Sequence, residues 1–202
     1  MTDLRATVLN KLRPVRNRLE TLIGGRGCVY PPPAIRLLAL KGEGRLELWV
    51  VKKKPLFIKH YKVLAASGDA GPKLVEADKQ VPEGVYNITA LNPASRYYLS
   101  LRIDYPNVFD CYWAAQDNRQ RPGSDIYLHG GAQSVGCLAI GDAAIEELFV
   151  LAADTGLANM SIVIAPYDPR VKPLDASGHP HWVNQLYKQI ETEFSNYDRP
   201  VE

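Results

Sequence analysis

One short stretch of this chain carries residue types that could do covalent chemistry. It runs Leu128-His129-Gly130-Gly131-Ala132-Gln133-Ser134-Val135-Gly136-Cys137-Leu138-Ala139, with a cysteine eight positions after a histidine and small residues between them. A thiol attacks a carbonyl as the thiolate, and a neighbouring imidazole or helix N-terminus favours that ionisation. The glycines let the backbone turn tightly and present N–H groups. The amides of Gly136 and Cys137 are candidate donors to a tetrahedral oxyanion, where one donor is typically worth on the order of 3 kcal/mol of barrier. A backbone carbonyl such as that of Gly130 could hold the second imidazole nitrogen. Cys137 as nucleophile and His129 as base, with Gly130, Gly131, Ser134 and Gly136 shaping the loop, would make an acyl-transfer site. The same spacing also suits a small buried cysteine and a hydrogen-bonded scaffold histidine.

The elements that must hold this loop can be read from periodicity. Residues 3–23 have Leu4, Val8, Leu12, Val15, Leu19 and Leu22 at helical steps, with Pro14 as a kink or break and a basic remainder of Arg5, Lys11, Arg13, Arg16 and Arg18. Such a helix either lies on an anionic surface or packs on the domain with its basic face in water. After Gly24-Gly25-Arg26-Gly27 and Pro31-Pro32-Pro33 come strand-like runs at 35–40, 46–51, 57–63, 85–89 and 97–103. Lys41-Gly42-Glu43-Gly44 is a hairpin signal between the first two. Residues 65–82 and 105–123 read as long loops of the kind that wall binding sites. A strand at 124–128 leads into His129, a helix capped by Asp142 follows Cys137, and a strand at 161–165 and a helix at 182–194 close the chain.

Composition excludes several function classes. With 24 Lys and Arg against 22 Asp and Glu, the net charge of +2 gives no argument for nucleic acid. No run approaches the roughly 18 apolar residues of a membrane span, and no apolar core of a secretory signal follows Met1. Three cysteines, Cys28, Cys111 and Cys137, leave at least one thiol unpaired, and none has the CxxC spacing of a zinc ribbon. His179 and His181 lack a placeable third ligand, so no metal or cofactor is expected.

The His-to-Cys window resembles the active-site motif of the YkuD-type L,D-transpeptidases, most closely the YafK-like branch. Its Ile-x-Ile-His-Gly-Gly-x-x-Ser-x-Gly-Cys pattern is matched by Ile126-Tyr127-Leu128-His129-Gly130-Gly131 and Ser134-Val135-Gly136-Cys137. Asp104-Tyr105-Pro106-Asn107-Val108-Phe109-Asp110 is similar to the branch's Tyr-Pro-Asn signature, and Gly71-Pro72-Lys73 with Gln80-Val81-Pro82-Glu83-Gly84 to its hairpin region. The resemblance covers about residues 34–166. It implies a β-rich α+β fold, the YkuD sandwich or barrel, with flanking N- and C-terminal helices. The chain then divides into an N-terminal helix and linker (1–27), a catalytic domain (28–170) and a C-terminal extension with a helix (171–202). It also implies Cys137 as nucleophile, His129 as base, a peptidoglycan stem peptide carrying meso-diaminopimelate as substrate, a wall-linked protein as a second candidate partner, and a periplasmic or envelope location.

Two positions depart from the broad family pattern. Val135 stands where a second histidine is usual, and Ala139 where Asn or Arg is usual. Substrate contacts must then come from elsewhere: Arg96, Arg119 and Arg121 could clamp a carboxylate in two-point fashion, and Trp113 and Tyr105 could line the cleft. The missing contacts tilt the expected reaction towards hydrolysis, since placing an acceptor demands more of a site than admitting water. Transpeptidation, a non-catalytic module that holds wall peptides, and a cytoplasmic hydrolase of recycled wall peptides stay open.

Overall fold

The computed structural model describes residues 3–200. Met1, Thr2, Val201 and Glu202, the outermost residues of the two flanking segments, lie outside the described residues. Nine strands form one mixed sheet: β1 (Ile35–Leu40), β2 (Arg45–Val50), β3 (Leu56–Lys62), β4 (Ala65–Ala66), β5 (Gly84–Ser95), β6 (Tyr98–Ile103), β7 (Tyr127–His129), β8 (Leu138–Ala139) and β9 (Met160–Ala165). Their order across the sheet is β3-β2-β1-β9-β5-β6-β7-β8-β4. The pairs β1/β9 and β7/β8 are parallel and the others antiparallel.

That order forces curvature. A flat sheet of this width would hold its edges roughly 38 Å apart at about 4.8 Å per strand. Yet the edge strands β3 and β4 are consecutive in sequence, joined only by Val63 and Leu64, which reach roughly 10 Å. The sheet therefore curls into a half-barrel, and the short link brings the chain from one edge to the strand beside β8. Ser67, the residue after β4, arrives next to the His-to-Cys loop by this route.

Both faces of the sheet are covered, which explains strands such as β1 that are apolar at nearly every position. On one face Leu37, Ala39, Leu46, Leu48, Ile162 and Ile164 pack with helices α2 (Arg13–Gly25) and α4 (Asp142–Thr155). On the other, Leu38, Leu40, Trp49, Val163 and Ala165 meet α5 (Val183–Phe194). The basic N-terminal segment is two helices, α1 (Leu4–Lys11) and α2, with Pro14 in the first turn of α2, where its missing N–H costs nothing. Val15, Leu19 and Ile23 of α2 are buried, on the order of 2 kcal/mol apiece, while Arg13 and Arg18 face water. Arg16 clamps Asp154 of α4 through two bonds of 2.7 and 2.8 Å. The C-terminal segment is tied down by charge as well: Arg170 reaches both Glu47 (2.9 Å) and Asp168 (2.8 Å) in a buried network.

Three expectations are corrected. Residues 105–123 are not all loop: Val108–Gln116 forms helix α3, started by a capping box in which Asn107 and Asp110 satisfy each other's backbone N–H. Cys137 is followed by strand β8, not by a helix, so no helix N-terminus opens at the thiol. Asp142 is the first residue of α4 and Gly141 its cap; the Asp142 carboxylate turns back to accept the Gly131 amide at 2.8 Å.

Candidate active site

His129 ends β7 and Cys137 immediately precedes β8. In the parallel register Leu128 faces Leu138 and His129 faces Ala139. Cys137, one residue before β8, thus enters the strand beside the one that His129 ends. The loop between them needs glycine at two points. Gly136 has φ +82, which L side chains rarely adopt, and a Cβ at Gly130 would sit 2.6 Å from Asp142 Oδ1 and 2.9 Å from the Tyr97 carbonyl.

The imidazole is almost wholly buried. Its Nδ1 lies 2.7 Å from the carbonyl oxygen of Gly130. That oxygen can only accept, so Nδ1 carries the proton and Nε2 keeps a lone pair, the state a general base requires. Burial lowers the His129 pKa, with the Gly130 bond opposing it. Burial also pushes the Cys137 thiol up; a backbone bond from Tyr127 and the Lys73 ammonium oppose the rise, and Asp125 adds to it. The thiol rests 3.8 Å from the carbonyl of Asp125. Both groups are thus biased to their neutral forms, against the ionisation of the thiol that a nearby imidazole and helix N-terminus would favour. The thiol meets the Asp125 carbonyl and the Tyr127 backbone, and the imidazole meets the Gly130 carbonyl and the Tyr97 ring.

The loop amides are already engaged. The Ser134 hydroxyl accepts from Cys137 N (3.1 Å) and donates to the Cys137 carbonyl (2.6 Å), while Gly136 N donates to Ser67 Oγ at 2.6 Å. These two hydroxyls stand where an oxyanion would seek its donors. A cleft of about 280 Å³ opens beside the thiol, lined by Lys73, Glu76, Lys79, Asp125, Gly136 and Cys137 among others.

Residues 37–164 match the family described as YkuD, the L,D-transpeptidase catalytic domain. The chain belongs to the YkuD L,D-transpeptidase family. It is 33% identical over 112 residues to the Escherichia coli K12 protein named "Putative L,D-transpeptidase YafK", a match covering 54% of this chain and 43% of that relative, and it matches the O157:H7 counterpart equally. The chain therefore spans less than half the length of these relatives. Among solved structures it is similar to the helical cell shape determining protein Pgp2 of Campylobacter jejuni, at a TM-score of 0.54 and 16% identity over 84% of this chain and 72% of that one. A mutant of Pgp2 gives the same TM-score at 18% identity, over 82% of this chain and 55% of that one. At such identity the likeness shows the fold.

Within this YkuD domain the expected substrate contacts fall in different places. Trp113 sits on α3 in an aromatic cluster, stacked on Trp182 at 6.0 Å and edge-on to His181 at 5.2 Å, and secures the C-terminal segment. Tyr105 is buried and donates to the Pro122 carbonyl at 2.8 Å, which holds the start of the segment leading to β7. Arg119 donates to the Leu74 carbonyl at 2.9 Å and lies over the Trp182 ring. None of these three lines the cleft beside Cys137. Arg121 is exposed, 3.7 Å from Glu76, across the 75–77 loop from that cleft. Arg96 lies exposed in the β5–β6 turn. Beyond the expected site residues, Ser67 meets Gly136, Lys73 and Asp125 line the cleft beside Cys137, and Tyr97 stacks on His129. Ser67 carries no local signal, because the fold brings it in from another strand.

Proposed function

We propose that this domain is a cysteine-dependent acyl-transfer enzyme acting on peptidoglycan stem peptides, with Cys137 as nucleophile and His129 as general base. The observation that carries the reading is the Nδ1–H to Gly130 bond, which leaves Nε2 as a lone pair on the strand beside the one that Cys137 enters. In the first half-reaction the Cys137 proton passes to Nε2 as sulfur bonds to the substrate carbonyl carbon. The C–N bond then breaks, His129 returns that proton to the leaving amine, and a thioester remains on Cys137. In the second half-reaction water or an acceptor amine gives its proton to His129 and attacks the thioester, freeing the thiol. Water is the favoured acceptor, because Val135 and Ala139 supply none of the polar contacts expected at those positions. The envelope, where peptidoglycan lies, is the proposed location, and a wall-linked protein is a second class of acyl partner.

A second reading, a module that holds wall peptides without turning them over, is favoured by the two loop amides already satisfied by Ser67 and Ser134. One experiment separates the two. Purified muropeptides are incubated with the protein and with Cys137→Ala, and both peptide products and intact protein mass are followed by mass spectrometry. Loss of a residue or crosslink with wild type alone, and a transient acyl adduct on Cys137, support the enzyme. Binding without any product in either protein supports the module, and equal products from both proteins would overturn the cysteine mechanism.

A further inference from the structure

The β5–β6 turn invests unusual geometry in one side chain. Tyr97 stacks on the His129 imidazole with ring centroids 4.6 Å apart and planes 28° from parallel. The next residue, Tyr98, has φ +75, a conformation that costs a non-glycine residue energy and persists only where the surroundings hold it. Two bonds hold it: the Tyr98 hydroxyl donates to Glu146 of α4 at 2.6 Å, and the Tyr97 amide donates to Ser95 Oγ at 3.2 Å. On the opposite side of the ring's own loop, Gly130 lacks a side chain where the Tyr97 carbonyl comes close. Tyr97 keeps 43% of its surface exposed, whereas His129 keeps 2%. The tyrosine is the wall between the imidazole and water.

We propose that Tyr97 is the positioning residue of the histidine base: the strained β5–β6 turn presses its ring onto His129, fixing the imidazole plane against the Gly130 carbonyl and shielding it from solvent. This rests on His129 being the base of the proposed reaction, but the contact itself can be tested without turnover. The ionisable groups of α4 around this turn and the His129 loop are Asp142, beside Gly130, and Glu146, at Tyr98. Asp142 is committed to the Gly131 amide and Glu146 to the Tyr98 hydroxyl. Removing the tyrosine ring therefore changes mainly the solvation of the imidazole, which burial now biases to the neutral form.

The test is an NMR titration of the labelled histidine ring, assigned by its loss in His129→Gln, in wild type, Tyr97→Phe and Tyr97→Ala, with muropeptide turnover measured on the same proteins. Phenylalanine keeps the stack and is expected to leave the titration and the Nδ1–H tautomer in place. Alanine admits water, so the midpoint moves up towards the ordinary value of 6.5, and turnover falls on the order of tenfold or more with the lost alignment. A Tyr97→Ala midpoint and tautomer identical to wild type, in a folded protein, would overturn the proposal. A moved midpoint in a domain in which no variant turns over substrate would sustain the contact and count against the enzyme reading. Tyr98→Phe is the milder check: releasing Glu146 should shift the midpoint in the same direction by less.

Discussion

The Ser67 hydroxyl accepts the amide proton of Gly136 at 2.6 Å, tying the end of β4 to the loop that carries Cys137. The two residues are 69 positions apart and meet because the curled sheet sets β4 beside β8. Gly136 is buried, so Ser67→Ala leaves its N–H without a partner, a cost of about 1–2 kcal/mol. The expected outcome is a lower melting temperature together with a fall in kcat/KM, both restored in Ser67→Thr, which keeps the hydroxyl. Unchanged values in Ser67→Ala would mean the bond neither holds nor shapes the loop.

The charge states of the pair give a pH signature. His129 works as the neutral imidazole and its pKa is lowered, so turnover should fall with acid only below 6.5 and stay level above it. The same shift acts on stability. The unfolded histidine takes up its proton near 6.5 while the folded one resists, so stability is fully present above 6.5 and is lost as pH falls towards the folded value. His129→Gln should flatten that part of the denaturation profile. The raised thiol predicts that iodoacetamide labelling of Cys137 climbs about tenfold per pH unit through neutrality without levelling off before 9.0. A labelling rate that is flat above pH 7 would reveal a thiolate–imidazolium pair at rest and a different mechanism.

Much of the scaffold was legible because its signals are local. Strand β1 matches the apolar run at 35–40 residue for residue, β2, β3 and β9 lie within a residue of the expected positions, and the hairpin at Lys41–Gly44 closes as its glycines suggest, with Gly44 N donating to the Lys41 carbonyl at 3.2 Å. Helix α3 was missed because Val108–Gln116 has no clean apolar stripe; its one sign was the Asn107 and Asp110 pair, three apart. The partners of the site were illegible for a different reason. Ser67 reaches Gly136 through sheet curvature, and no spacing rule along one chain encodes which distant strands will be neighbours.

Trp113 is placed by the same long-range packing. An aromatic residue ahead of a catalytic motif suggests a substrate wall, but its ring is sandwiched between α3 and the C-terminal segment. Trp113→Ala should therefore cost on the order of 3 kcal/mol of stability by chemical denaturation, with KM within about twofold of wild type under conditions where the variant is folded. A large rise in KM with unchanged stability would return Trp113 to the cleft.

Asp78 is the more informative target for substrate binding. Its carboxylate accepts from the amides of Leu74 (3.0 Å), Val75 (3.1 Å) and Gln80 (3.0 Å) and pairs with the buried Lys73 ammonium. Burial alone would raise this carboxyl; the Lys73 and backbone bonds outweigh it and hold the pKa below the ordinary value. The knot is needed because Ala77 and Lys79 on either side have φ +61 and +57, each costing roughly 1–2 kcal/mol in a non-glycine residue. The cleft beside Cys137 takes one wall from this loop, through Lys73, Glu76, Ala77 and Lys79. In Asp78→Ala three amides lose their acceptor at once and the buried Lys73 ammonium keeps only the Val75 carbonyl at 2.9 Å, so the strained turn relaxes and the wall opens. The expected result is a rise in KM of about tenfold or more, with faster proteolysis and hydrogen exchange confined to residues 74–80. Asp78→Asn, which keeps one acceptor oxygen but no charge, should fall between the two. Wild-type KM in Asp78→Ala, alongside measurably faster exchange at 74–80, would mean that substrate does not use this wall and enters from the His129 side.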